Sequence, residues 1–286
     1  MIKHHPFQTH HKQNSLFSIK RALAYSRARK DASNDITAET YTTSEHLTST
    51  SDIFKSCTWT SCSSTEAGGA IYLQSSYPLT VIDCSFLSCK SKPTSLPYGS
   101  GGGAIAFLST GLLSISSTSF ISCSALGERG GAIHIHGTGD VVISSSLIFD
   151  CSCSTFGGGL LTEYGTSLTL SNSMFILCRT QFGGACGFHT RKPIFSVSNC
   201  IFAKNQASGS TRGGGAIEDY NYNPNSYCQY YCSFFTENTA SNGNDIAANG
   251  YAYSSSPLIH CFTTTKENSF SNLGTYKDNW LPQARM

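Results

Sequence analysis

Residues Gly102–Cys123 read GGAIAFLSTGLLSISSTSFISC, and this stretch decides the fold. Two glycines open it. Ile105 and Phe107 share one parity after them, Leu113 and Ile115 share another, and Phe120 is followed three places later by Cys123. The ending recurs along the chain as Trp59/Cys62, Phe86/Cys89, Phe120/Cys123, Ile148/Cys151, Phe175/Cys178, Phe202/Asn205 and Phe235/Asn238. Successive last members step by 27, 34, 28, 27, 27 and 33 residues. Self-similarity at such a period marks a stacked array of supersecondary units.

The glycine opening recurs in phase with this ending. Gly-Gly-Ala-Ile stands at Gly68–Ile71, Gly102–Ile105, Gly130–Ile133 and Gly214–Ile217, with variants at Gly158–Leu161 and Gly183–Cys186. From the second glycine (Gly69, Gly103, Gly131, Gly159, Gly184, Gly215) to the bulky position is 17, 17, 17, 16, 18 and 20 residues. The distance from the Cys or Asn to the next glycine pair varies much more. Each repeat therefore has a half of nearly fixed length and one loop that absorbs insertions, as solenoids do. Period-two alternation after the glycines (Ile71/Leu73, Ile133/Ile135, Cys186/Phe188) and again before the bulky residue (Leu79/Val81, Val141/Ile143, Leu168/Leu170) predicts half-buried strands. No helical periodicity lies between glycine pairs, which excludes an α-solenoid. The expected fold is all-β: a single-stranded parallel β-helix, a pectin-lyase-like solenoid of about seven coils stacked roughly 4.8 Å apart. The expected layout is a basic tail or cap over residues 1–50, the β-helix over 51–265 and a tail or cap over 266–286.

The chain has 13 cysteines, of which Cys62, Cys89, Cys123, Cys151 and Cys178 share one repeat position and Cys57, Cys84 and Cys200 lie two places before the bulky residue. Side chains stacked at strand spacing suit neither a disulfide, which needs Cβ atoms about 3.8 Å apart, nor a tetrahedral zinc site. They read as small buried hydrophobes, with disulfides between coils or chains as the alternative. At Asn205 and Asn238 a side-chain amide can bond the backbone of a corner.

Seven of the 19 basic residues fall in the first 30 positions, ahead of the first acid, Asp31. The rest therefore holds 12 basic against 17 acidic groups, a balance of −5. A body of that sign is not expected to bind nucleic acid. Within the basic segment Leu16, Phe17, Ile19, Leu23 and Tyr25 fit one face of a short helix. Three readings fit it: a cap over the open solenoid end, a disordered tail, or an organellar presequence. The nearby His4, His5, His10 and His11 resemble a metal-binding tract, but at a flexible terminus they read as solvated. The first 30 residues lack the apolar core of a secretory signal, no apolar run is long enough to span a membrane, and no Asn-x-Ser/Thr acceptor occurs.

Parallel β-helices that cleave polysaccharides need clustered carboxylates on one face. Here charged residues make up only 13% of the chain, and Asp83, Asp140, Asp150, Glu163, Glu218 and Asp219 fall at different repeat positions. Glu218-Asp219, with Tyr220, is the best candidate glycan site. His134 and His136 face outward three coil steps away, roughly 14 Å, too far for a direct dyad. No P-loop, dinucleotide fingerprint or HExxH motif occurs. No catalytic residue, cofactor or metal is expected.

Taken together, the Gly-Gly-Ala-Ile tetrads and the intact Phe202-x-x-Asn205 and Phe235-x-x-Asn238 motifs resemble the repeat of chlamydial polymorphic membrane proteins, and look-alike repeats in large families of parasitic protists. The resemblance covers residues 51–250 or so and departs from the pattern where Cys62 through Cys178 replace Asn. It implies a right-handed β-helix and a non-catalytic adhesion or interaction role at the cell surface or in secreted form, toward a protein or glycan ligand. A carbohydrate-binding or carbohydrate-cleaving β-helix, and an intracellular structural relative, are the alternatives.

Overall fold

The computed structural model describes residues 35–47, 52–92, 101–126, 129–165, 167–190, 194–210, 213–221, 227–241, 243–250, 258–264 and 270–271. The expected basic helix, the His4–His11 tract and the end of the C-terminal tail lie outside the described residues. Every described strand pairs in parallel with its equivalent one repeat away, and the chain winds as a right-handed parallel β-helix.

One coil shows the construction. A leading strand, Leu113–Ser116, is followed by a ring strand, Ser119–Ile121, a two-residue short strand, Ser124–Ala125, a loop, and a glycine strand, Ile133–Gly137. Leading strands stack on leading strands, as in Leu113↔Val141 and Ile115↔Ile143, and ring strands on ring strands, as in Phe120↔Ile148. The ladder of short strands has six members, so six coils carry all four elements. Partial coils extend both ends. Asp35–Thr37, Thr40–Tyr41 and Glu45–Leu47 pair with the first complete coil, so part of the segment expected as a tail or cap over residues 1–50 belongs to the solenoid. At the far end Ile246–Gly250 continues the glycine strands, with Gly243-Asn244-Asp245 at the glycine corner.

Inward side chains fill the core. Phe107, Leu113, Ile115 and Phe120 are all completely buried. The bulky positions form a ladder of stacked rings, with Tyr41–Trp59 at 4.7 Å, Trp59–Phe86 at 4.5 Å, Phe86–Phe120 at 4.8 Å and Phe202–Phe235 at 4.9 Å between centroids. The bulky residue sits in the middle of its three-residue strand, not at a corner.

Two corners flank each ring strand, and each turns on a residue with left-handed backbone. Ser117 and Ser122 have φ of 49° and 52°; Asp83, Ser88, Ser145, Asp150, Asn172 and Asn199 occupy the same two places in other coils, and Leu177, Lys204, Cys232 and Glu237 do so in later ones. Short polar residues tolerate this region best. The residue after each corner points inward and is polar. After the first corner the series runs Cys57, Cys84, Thr118, Ser146, Ser173, Cys200, Ser233. Thr118 Oγ1 donates to Ser116 O at 2.8 Å and accepts from Cys84 N at 3.3 Å, and Ser146 repeats the pattern with Ser144 O and Thr118 N. After the second corner, Cys89, Cys123 and Cys151 donate Sγ–H to the carbonyls of Trp59, Phe86 and Phe120 in the coil before, at 3.6–3.7 Å. Asn205 does the same to Phe175 O at 3.0 Å and also accepts from Cys178 N at 2.9 Å. All described cysteines are free thiols, and nine of them are buried.

The glycine corner corrects one register. Gly68, Gly102, Gly130 and Gly183, each the first of its pair, have positive φ, but in the intervening coil the positive φ falls on Gly157, and ahead of Gly214 it falls on Gly213. Leu160 pairs with Ile133, so Gly158 is the counterpart of Gly131 and Gly159 takes the alanine place. A Cβ on Gly158 would collide with the carbonyl of Gly184 in the next coil.

Two outcomes follow. Phe120→Ala is expected to cost about 3–5 kcal/mol in urea denaturation, because the ring is fully buried between Phe86, on which it stacks, and Ile148 of the next coil. The thiols make the fold labile to alkali. Burial pushes Cys84 and Cys200 up to about 11 and Cys178 up to about 12, against about 8.5 in an unfolded chain. The folded state therefore keeps protons that the unfolded state releases, so stability is full below about pH 8.5 and lost as pH rises toward the folded values, at about 1.4 kcal/mol per thiol per pH unit. Melting midpoints should be flat from pH 7 to 8 and fall with increasing steepness above about pH 9. Cys84→Ser, which installs the hydroxyl already used at Ser146, should reduce the slope. A midpoint independent of pH would refute this account.

Candidate functional site

Outward side chains of the glycine strands form two rows. One runs His134, Leu161, Gly187, Glu218 and the other His136, Glu163, His189, Tyr220, each step one coil. These positions point away from the core, yet His134 and Glu218 are completely buried and Glu163 and His189 are only 6% exposed. Arg129, Phe156 and Phe182, which stack through isolated bridges just ahead of the glycine corners, account for part of the cover. The Phe156 ring meets the His189 ring edge-on at 4.6 Å between centroids.

Glu163 is the centre of the arrangement. His134 Nε2 lies 2.9 Å and His136 Nδ1 3.4 Å from Glu163 Oε2, while Arg129 Nη1 donates to Oε1. Burial pushes the Glu163 carboxyl up, but the imidazole hydrogen bonds and the Arg129 charge outweigh it and hold the group well below the usual carboxylate range. Burial pushes His134 down, more than the hydrogen bond from its ring to Glu163 pushes it up. A neutral imidazole with its proton on Nε2 satisfies both, since His134 Nδ1 has no hydrogen-bond partner. One coil further on, His189 Nε2 lies 3.3 Å from Glu218 Oε2. The Tyr164 ring packs beside His136 at 4.5 Å between centroids.

The expected glycan site does not assemble. Glu218 and Asp219 are consecutive in a strand and so point to opposite faces. Asp219 faces the core, 1% exposed, and accepts from Tyr230 Oη at 3.0 Å. Tyr220 shares the outward face with Glu218 and packs near His189 at 5.7 Å. The expectation that stacking would not gather the acids with other groups is corrected at Glu163, which pairs in register with His136 and with His189. The one-residue shift at Gly157–Gly159 hid this: counted from Gly159, Glu163 has the opposite parity to His136, and a slip of one residue reverses the face. A separate open groove of about 300 Å³ lies beside the short strands, lined by Ser152, Cys153, Arg179, Thr180 and Gln206, and includes none of these acids.

Fold and site together define a right-handed parallel β-helix with a buried Arg129–Glu163 ion pair and hydrogen-bonded histidines on one outer face. Comparison with protein-family models, curated proteins and solved structures returned no match. Among the described residues no helix is long and apolar enough to cross a membrane.

Glu163→Gln leaves Arg129 beside a neutral partner in a nearly closed site, and breaking a buried pair from one side is costly. The expected loss is about 2–4 kcal/mol by urea denaturation, with unchanged β circular dichroism. A variant as stable as the wild type would show that the ion pair contributes nothing to the fold.

Proposed function

We propose that this chain is a non-catalytic β-helix module of a cell-surface or secreted protein, which binds another protein through the outer face of its ring strands. The observation that carries this reading is a straight exposed apolar row. Leu147, Met174, Ile201, Phe234 and Phe262 pair in succession, and Phe149 and Ile176 stand beside them on the same face. Met174 is 38%, Ile201 36%, Phe234 37% and Phe262 47% exposed. In earlier coils the same row is Thr58, Ser85 and Ser119. A contiguous apolar patch with a polar continuation marks an interaction surface better than isolated exposed residues do. The leading strands carry a mainly polar outer surface, with Thr80, Ser114, Thr169 and Ser196 outward and Val142 among them, but the ring strands of the later coils depart from it.

The non-catalytic part of the reading is supported by where the acids are placed. Glu163 is bonded to Arg129, His134 and His136, Glu218 to His189, and Asp219 to Tyr230, so each is engaged within the chain. Resemblance to the polymorphic membrane protein repeat supports the surface location.

Beads coated with the wild-type chain are expected to attach to cell surfaces in a panel of cell types. Met174→Lys/Ile201→Lys, at exposed sites, should abolish attachment and leave the melting midpoint within a degree or two. Attachment that survives the double variant removes this face from the proposal. Release of reducing sugar from any glycan by the wild-type chain would overturn the non-catalytic reading and restore the carbohydrate-active alternative.

A further inference from the structure

We propose that His134, His136 and Glu163 form a binding site for one divalent transition-metal ion of the zinc class. The inference stands on the glycine-strand face and does not depend on the apolar row of the ring strands.

The strand supplies the geometry. His134 and His136 are two residues apart and so share a face, and Glu163 pairs with His136 from the next coil. One ligand atom from each residue lies within 4.8 Å of the others. The two shortest separations, 2.9 Å and 3.4 Å, bracket the roughly 3.3 Å between ligands of a tetrahedral ion with bonds of about 2.0–2.1 Å. The pairs with Glu163 need shifts of only a few tenths of an ångström, while the two imidazole nitrogens, within 4.8 Å of each other, close toward the same separation as the ion enters. Two imidazoles and one carboxylate favour zinc or its neighbours over calcium or magnesium, which prefer all-oxygen sites.

The surroundings behave as supporting groups do around a metal. Arg129 occupies Glu163 Oε1, which turns Oε2 toward both imidazoles. His134 and Glu163 are buried, whereas His136 is 27% exposed, so the third ligand stands at the entrance and a fourth position faces solvent. On binding, His134 Nε2 gives its place on Glu163 to the ion, and the imidazole proton moves to Nδ1. That nitrogen has no partner in the metal-free protein, which limits the affinity. The fold does not need the ion, because the hydrogen-bonded arrangement already closes the site without it.

The test must silence the other metal-binding groups. The full chain carrying His4→Asn, His5→Asn, His10→Asn and His11→Asn is stripped with chelator and titrated with Zn²⁺ by calorimetry and with Co²⁺ by absorption. One equivalent of Zn²⁺ is expected, together with a cobalt spectrum of nitrogen and oxygen ligation that lacks a thiolate charge-transfer band. In the same background His136→Ala should bind at least about tenfold more weakly, while its metal-free melting midpoint stays near the parent value. Should His136→Ala shift that midpoint, the smaller change His136→Asn takes its place. Absence of binding, equal affinity in parent and variant, or a thiolate band would each overturn the proposal.

Discussion

The fold rests on the left-handed corner and the polar side chain that follows it. A parallel β-helix must bend its chain several times per coil, and at each bend backbone groups swing out of the ladder into the core. Unsatisfied, each such group costs about 1–3 kcal/mol. Here the residue after the bend turns inward and closes the account locally: Thr118, Ser146 and Ser173 each donate to the carbonyl two residues back and accept the amide of the equivalent residue one coil earlier. The bond joins neighbouring coils at one fixed register. With the register fixed, the bulky residue two places later stacks on its counterpart, and the ring ladder follows from the corner.

The same constraint explains the cysteines. At the second corner Cys89, Cys123 and Cys151 reach the carbonyl that Asn205 reaches from the same position in a later coil. At the first corner Cys84 and Cys200 alternate with Thr and Ser. Cys, Ser and Thr share a small side chain with one donor hydrogen. A protonated thiol meets that need and also tolerates an apolar core better than a hydroxyl does. The corner cysteines are therefore a hydrogen-bonding device, and no disulfide framework is required to explain them. Asn205 and Asn238 extend the device, since Asn205 Nδ2 donates to Asn238 Oδ1 at 3.0 Å and the two amides link adjacent coils directly.

Architecture was legible because its signal is repeated. Ring positions, glycine pairs and strand parity each occur many times, so an error in one coil does not disturb the period. The site was not legible because it occurs once and depends on parity within a single coil. Gly157-Gly158-Gly159 offers two alignments of a glycine pair, and only the backbone conformation at Gly157 chooses between them. Had the constant 17-residue spacing been imposed there, as from Gly158 to Phe175, Glu163 would have fallen beside His136. Asp219 was misplaced for a simpler reason: consecutive acids were read as a pair, although a strand sends them to opposite faces. The first partial coil escaped notice because its ring is Tyr41 and the residue three places on is Ser44, outside the Cys/Asn pattern.

Inward positions in this solenoid are tied to the register, while outward ones are not. A change in an outward row leaves the corner bonds and the ring stack as they were, so each face can carry its own chemistry along the axis. The Leu147 row and the histidine face begin at the same height, whereas the neighbouring outward row is already apolar at Leu87 and Ile121. Outward ring-strand residues change from Ser119 to Leu147 between adjacent coils, and the glycine strand between them carries His134 and His136. Before that level the glycine-strand face offers Tyr72 and Ala106 in the row that His134 continues. The backbone passes through this boundary with unbroken pairing, as Leu113↔Val141 and Phe120↔Ile148 show. A difference confined to outward side chains, with the backbone unchanged, cannot arise from the demands of stacking. It is set by what covers each face, as Arg129 covers Glu163 and Phe156 covers His189 here.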